Sequence, residues 1–364
     1  QNHTYYVDGS PVIFDAYDGA WKTLLSATAG AGGQLVYGLD VTKPANFSGS
    51  DILWEFTDEP RVSGGNVYGD IDLGYTLGDV SFARMNNGKW VIIFGNGVNN
   101  TEADSNPSVT GNAAIYVVDA FTGALIKKFD TQVGMAEDPS GAGHPNGIAK
   151  VTPIDLNGDF KVDFIYAGDL FGNVWKMDVS SSSPGSWKAA STAAGKPKPF
   201  YIAKDSNGKV QPITSGIAVK RHPEFIEQTL VLFGTGSYFQ TTDPADIQEQ
   251  TFYAIWDDNT ASQYDRSKLL EQKILSVESV TGLDGIDREF RVTSSGDIDP
   301  ANYKIDWTKH KGWFMTLTET GERINVEPIL RGNRIIFVTL TPLTDPCSSG
   351  GSSWIMEVSS DSGS

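Results

Sequence analysis

Residues 155–163 read DLNGDFKVD. Side-chain oxygens occur at Asp155, Asn157, Asp159 and Asp163. At positions 1, 3 and 5 of a short loop, such side chains can close round one cation. The backbone carbonyl of position 7, here Lys161, points the same way, and position 9 adds Asp163. That is the ligand order of the first nine positions of an EF-hand calcium loop, and hard oxygen donors with several carboxylates favour Ca2+ over softer metals. Three carboxylates this close also repel one another unless a cation or hydrogen bonds offset the charge. The pattern departs from a full EF-hand. Tyr166 stands where the bidentate Glu would fall, Phe160 where the glycine is usual, and Gly158 lies two residues earlier. The flanks, IAKVTPI and FIYAGD, have strand composition rather than helix composition. The sequence therefore predicts a calcium loop built into a β-hairpin. The competing reading is a plain hairpin with a type I′ turn at Asn157–Gly158.

Other chemistry-bearing residues form no comparable set. His3, His144, His222 and His310 are scattered, with no HExxH or HxH spacing. There is no GxSxG nucleophile elbow and no GxxxxGK[ST] phosphate loop. TAGAGG (28–33) lacks a strand–helix context and reads as a tight turn between strands. Asp8, Asp15, Asp18, Asp70, Asp72 and Asp79 read as solvated surface. Asn2, Asn46 and Asn99 open N-x-Ser/Thr sequons at about the chance rate. Cys347 is the one cysteine, so no internal disulfide, CxxC pair or multi-cysteine zinc site is possible.

The elements that must position the loop are short strands. Three strand types recur five times in the same order. The first set is PVIFDAY (11–17), GDVSFARM (78–85), IAKVTPIDL (148–156), TSGIAVKRH (214–222) and VEPILRG (326–332). The second is WKTLLSAT (21–28), KWVIIFGNG (89–97), KVDFIYAGD (161–169), QTLVLFGTG (228–236) and NRIIFVTLT (333–341). The third carries an aromatic anchor: LVYGLDV (35–41), AIYVVDA (114–120), NVWKMDV (173–179), TFYAIWD (251–257) and SWIMEVS (353–359). ILWEF (52–56) and LIKKFD (125–130) add a fourth edge. Repeated antiparallel units of this kind are the blades of a β-propeller. The anchors are unevenly spaced, so long insertions are expected at 57–74, 98–112, 131–146, 180–210 and 278–312. A β-sandwich is the alternative. One helix is expected, over Ser267–Val277 after an Asp265 cap. In DAFTG, Asp119 is expected to bond local amides while Thr122–Gly123 turn into the fourth strand.

The chain has 364 residues, 39% hydrophobic, with 39 glycines and 11% aromatic residues. That suffices for a large core with many turns. The formal net charge of −17 disfavours a phosphate-gripping nucleic-acid binder or an anionic membrane surface and attracts divalent cations. No apolar stretch is long enough to span a membrane. Nothing resembles a signal peptide, and a start at Gln1 reads as a mature or excised piece.

Taken together, YYVDGSPVIFDAY (5–17), GAGGQLVYGLDVT (30–42), LGYTLGDV (73–80), NGKWVIIFGNGVNN (87–100), AAIYVVDAFTGALIKKFD (113–130), residues 143–179, KGWFMTL (311–317), GERINVEPIL (321–330) and TLTPLTDPCSSGGSSWIMEV (339–358) resemble the C-terminal propeller domain of the PilY/PilC family of type IV pilus biogenesis factors and adhesins. The resemblance implies an all-β, modified β-propeller with one calcium loop, over 1–364 as a single domain. Its ligands would be Asp155, Asn157, Asp159 and Asp163 by side chain and Lys161 by carbonyl. The family fold has seven blades, while five repeats are visible, so insertions hide blades or upstream strands lie outside the sequence. The resemblance further implies a non-enzymatic, exported protein at the pilus tip, outer membrane or cell surface. Its calcium occupancy would bear on pilus extension and retraction, hence twitching motility. Its partners would be major or minor pilins or outer-membrane pilus machinery, with host adhesion carried by an N-terminal region not in this sequence. The alternatives are a quinoprotein-like oxidoreductase propeller and a glycan-binding propeller, the latter suggested by nine tryptophans. Trp54, Trp175 and Trp354, however, lie in strand patterns that point to core packing.

Overall fold

The structure is a computed structural model that describes residues 5–102, 105–260, 262–343 and 350–364. Asn2, His3, Cys347 and the TDPCSS part of the C-terminal motif lie outside them. The chain divides into two compact units, Gln1–Phe200 and Tyr201–Ser364.

The first unit holds three antiparallel sheets of four strands, each paired in chain order. They are Val12–Tyr17, Trp21–Thr28, Leu35–Asp40 and Ile52–Thr57; Ser81–Arg84, Trp90–Gly95, Ala114–Asp119 and Leu125–Asp130; and Val151–Ile154, Phe164–Gly168, Asn173–Asp178 and Lys188–Ala189. The inner strands of the second sheet are apolar on both faces, and the packing shows why. Ile92, Phe94, Tyr116 and Val118 pack with Leu24, Val36, Trp54 and Phe56 of the first sheet. The alternate residues Val91, Ile93, Ile115 and Val117 pack with Ile165, Ala167, Trp175 and Met177 of the third. A period of two thus serves two cores. The rings of Phe56, Phe94 and Tyr116 meet at 5.3–5.5 Å.

The second unit holds, among the described residues, two sheets of three or more strands. One contains Ala218–Arg221, Thr229–Gly234, Thr251–Asp257 and Gly312–Thr316 in antiparallel order, with Leu270–Gln272 parallel on its outer edge. The other contains Ile329–Arg331, Arg334–Val338 and Ile355–Ser359. Phe252 stacks on Phe337 at 4.2 Å in the core between them.

All fifteen repeated strands therefore form, in five separate sheets, and the sandwich reading falls. Among the described residues the insertions at 57–74, 180–210 and 278–312 carry two-stranded hairpins, and none of the five holds a sheet of blade size. The turn at 28–33 is a 3-10 turn, Gly30–Gly32, between strands as expected. Asp119 takes the amides of Phe121 and Thr122 on Oδ1 at 3.1 and 3.2 Å. Gly123 has φ +71°, and a Cβ there would meet Trp54 at 2.6 Å. Glycine is needed for backbone shape and for clearance.

The helix expected over Ser267–Val277 is not formed. Asp265 does cap, its Oδ1 accepting the Ser267 amide at 2.9 Å, but the turn ends at Lys268. Leu270–Gln272 joins the fourth sheet, and Ile274–Thr281 pairs with Asp287–Thr293. Leu269 and Leu270 are buried at a sheet edge whereas Leu275 is 55% exposed, so tertiary pairing outweighed the helical spacing. The one α-helix among the described residues is Pro300–Tyr303.

His222 is buried among Trp256, Trp307 and Phe225, with ring centroids 4.3–5.1 Å away. Its Nδ1 accepts the amides of Glu224 and Phe225. Burial, with the charges of Lys311 and Lys220 and against that of Asp361, pushes its pKa down to about 4 from 6.5. Between these values the unfolded chain binds the extra proton. The stability contribution is therefore present above about pH 6.5 and lost as pH falls towards 4. Urea melts should show the wild type losing about 2 kcal/mol more than His222→Gln between pH 6.5 and 4.5. Equal losses would refute the buried neutral imidazole.

Candidate metal centre

Residues 155–163 connect Val151–Ile154 to Phe164–Gly168, and Ile154 pairs directly with Phe164. The connection is thus a nine-residue loop, not a two-residue type I′ turn, and Asn157 is not among the positive-φ residues such a turn needs.

Its side chains hold the loop by a regular set of bonds. Asp155 accepts the Gly158 amide on Oδ1 and the Phe160 amide on Oδ2, both at 2.7 Å. Asn157 Oδ1 accepts the Asp159 amide at 2.9 Å, and Asp159 Oδ1 accepts the Lys161 amide at 3.0 Å. Asp163, 7% exposed, accepts the Leu156 amide at 2.9 Å and the Asn157 amide at 3.3 Å on Oδ2. The Asn157 side chain donates to Asp163 Oδ1 at 3.3 Å. Asp155, Asn157 and Asp159 take amides further along the loop while Asp163 reaches back to its start, which curls the chain inward.

The far end is anchored on the second sheet. Val162 bridges to Met85, its amide donates to the Arg84 carbonyl at 3.0 Å, and Asn86 Nδ2 donates to the Val162 carbonyl at 2.8 Å. The near end is open: Asp155, Asn157, Gly158 and Asp159 are exposed. Charge is partly offset within the loop. The Lys161 ammonium, 2.9 Å from Asp159 Oδ2, holds that carboxyl below its ordinary range.

The structure thus brings all five expected residues into one loop. Among the described residues, no three His, Cys, Asp or Glu side chains converge as a cage. The three carboxylates are spread around the loop on amides. The donor set is all oxygen, which fits a hard cation such as Ca2+.

Phe160 is what the sequence did not signal. It is 87% exposed with φ +64°, and Gly158 has φ +83°. The sixth position makes the left-handed turn that glycine usually makes there, but with a phenylalanine. A bulky residue in this region costs about 1–2 kcal/mol. Phe160→Gly should raise stability by about 1 kcal/mol in thermal or urea melts, since little apolar burial is lost. A destabilised variant would show that the ring makes contacts that hold the loop.

Asp70 and Asp72 correct the expectation of solvated surface. Asp72 is 7% exposed. Lys128 Nζ bridges Asp70 at 2.7 Å and Asp72 at 2.6 Å, Tyr116 Oη donates to Asp70 at 2.9 Å, and Ser108 donates to Asp72. Only folding brings Lys128 to them, and two buried-side carboxylates sharing one ammonium form a structural clamp. Trp54 and Trp175 are core residues, while Trp354 is half-buried under the Arg291 guanidinium, 4.4 Å from its ring.

A family model described as the PilY1 beta-propeller domain matches residues 1–280. The chain belongs to the PilY1 β-propeller family. It is similar to a type IV pilus biogenesis factor PilY1 homolog of Xylella fastidiosa, with 35% identity over 99% of this chain and 23% of the relative. It is similar also to type IV pilus biogenesis factor PilY1 of Pseudomonas aeruginosa, with 33% identity over 97% of this chain and 30% of the relative. The chain therefore spans less than a third of these curated relatives. The crystal structure of the Pseudomonas aeruginosa PilY1 C-terminal domain superposes with a TM-score of 0.78 at 31% identity, covering all of this chain and 72% of the other. The five sheets are thus blades of the PilY1 propeller. No helix among the described residues is long and apolar enough to cross a membrane.

Proposed function

We propose that this chain is the calcium-binding, non-enzymatic propeller module of a type IV pilus biogenesis factor. Family membership and the names of the relatives support the pilus context. The observation that carries the calcium reading is the 155–163 loop, whose Asx oxygens take successive loop amides round a left-handed sixth residue. Asp155, Asn157, Asp159 and Asp163 would hold Ca2+ by side chain and Lys161 by its carbonyl. The ion would supply a charge that cross-links the open near end of the loop to its anchored far end. This chain's residues do the rest: Asp163 fixes the amides of Leu156 and Asn157, and Asn86 ties the loop to the second sheet. A loop so fixed presents one surface to a partner, either pilins or outer-membrane pilus machinery. Occupancy would shift the balance of pilus extension and retraction, and so twitching motility and adhesion. The protein would work exported, at the pilus tip or outer membrane of a bacterium.

The test is calcium titration by calorimetry on the wild type and Asp155→Ala, with twitching of bacteria carrying the same substitution in the full-length protein. Lost binding with altered twitching supports the reading. Lost binding with unchanged twitching refutes the regulatory role. Equal binding refutes the site.

A further inference from the structure

Phe160 stands apart from the other exposed apolar residues. Among the described residues it is the one aromatic residue with positive φ, at +64°; the other non-glycine positions are Asn99, Gln132, Ala194 and Asn259. A side chain as bulky as phenylalanine is crowded there. Burial does not offset that cost, because Phe160 is 87% exposed. A single exposed apolar side chain is ordinary on a protein surface. One held outward by a disfavoured backbone conformation is a signal of function.

The backbone that carries the ring is fixed on both sides. The Phe160 amide donates to Asp155 Oδ2 at 2.7 Å, and the Lys161 amide donates to Asp159 Oδ1 at 3.0 Å. Two residues on, Val162 is tied to the second sheet by its amide bond to the Arg84 carbonyl and by Asn86. The space beside the ring's turn is open: a Cβ on Gly158 would meet nothing within 4 Å. The ring therefore stands on a braced platform, with its backbone set before any contact is made. An anchor residue has these properties, a large apolar area and little freedom left to lose on binding.

We infer that Phe160 is a docking anchor, which inserts into an apolar pocket of a partner protein whose rim carries lysine or arginine. This role rests on the loop presenting a surface to a partner, as proposed above, and does not require the ion. Charge decides between occupants. The loop carries three carboxylates and one lysine, and the whole chain has a net charge of −17. A second copy of the chain would meet like charge, and so would an anionic lipid surface. A basic rim is attracted.

The experiment replaces Phe160 by the photoreactive p-benzoylphenylalanine in the full-length protein of living bacteria. The same replacement at Val109, 81% exposed in the same unit, is the control. Irradiation should join position 160, and not position 109, to one protein, at a peptide whose apolar residues are flanked by lysine or arginine. Phe160→Ser should reduce twitching about tenfold or more, as loss of an aromatic anchor weakens a contact, and Phe160→Tyr should restore most of it. Purified Phe160→Ser should bind calcium as the wild type does and melt no lower. A lower melting temperature would assign the ring to holding the loop and overturn the proposal. So would an adduct with lipid or with a second copy, the same adduct from both positions, no adduct, or normal twitching of Phe160→Ser. If Asp155→Ala loses calcium yet twitches normally while Phe160→Ser does not, the calcium reading falls and the anchor stands.

Discussion

Asp155→Ala is expected to weaken calcium binding by about a hundredfold or more. The carboxylate has two functions in the loop. It would be the first ligand in the 1-3-5-7-9 order, and it holds the amides of Gly158 and Phe160 at 2.7 Å each. Alanine removes a full ligand charge and frees the segment that carries the left-handed residue. Asp155→Asn separates these functions, since it keeps one acceptor oxygen and loses the charge. It should bind more tightly than the alanine variant and more weakly than the wild type. Asp159→Ala should lose affinity as well, while also releasing Lys161. A ligand that binds only the folded state adds about 2.7 kcal/mol at a concentration 100 times its Kd. Chelation should therefore lower the melting temperature of the wild type but leave that of Asp155→Ala unchanged. Unchanged affinity in both alanine variants would remove the assignment.

Asp169→Ala is expected to destabilise the first unit by about 4 kcal/mol. Asp169 is fully buried at the end of Phe164–Gly168, the strand that follows the 155–163 loop. Burial pushes its carboxyl up, opposed by bonds from Asn173, Trp175 and Asn146. It accepts the Phe171 and Asn173 amides at 2.9 Å, Asn146 Nδ2 at 2.9 Å and Trp175 Nε1 at 2.8 Å. Truncation leaves the Phe171 and Asn173 amides and Trp175 Nε1 buried without this acceptor, while Asn146 Nδ2 keeps the Val133 carbonyl at 3.3 Å, and each orphaned donor costs about 1–3 kcal/mol before relaxation. Urea melts measure the loss. A cost under about 1 kcal/mol would mean that water replaces the carboxylate and that the network is not structural.

The two expectations differ in how far the sequence foretold them. The ligand types and their spacing in DLNGDFKVD could be read directly, because an oxygen at alternate positions is a covalent fact of the chain. What the oxygens do could not. Whether Asp155 faces solvent, a neighbouring carboxylate or an amide depends on where the two strands close, and Ile154 pairing with Phe164 decided that. Asp169 gave no signal at all. Its four kinds of donor come from residues 146 to 175 and meet only when the third sheet forms.

The fifteen repeated strands were legible because alternating Val, Ile, Tyr, Phe and Trp bounded by Gly, Asn and Asp is a local signal with a period of two. The failures share one cause. Ser267–Val277 has helical spacing, yet Leu270–Gln272 found an open sheet edge and Ile274–Thr281 a hairpin partner, and pairing across many residues outweighs a weak local preference. Gly312–Thr316 joins the fourth sheet between Thr251–Asp257 and Leu270–Gln272 after a long insertion, so its neighbours in space are far away in sequence.

By itself, then, the sequence determined the all-β class, the order and faces of the blade strands, and the identity of the hard oxygen donors, since these follow from side-chain type and short-range period. The tertiary structure alone decided which carboxylates are buried with partners, as Asp72 is with Lys128, which strand takes the outer edge of the fourth sheet, and where Phe160 takes the left-handed turn. Those are properties of neighbours brought together by folding, and no spacing along the chain encodes them.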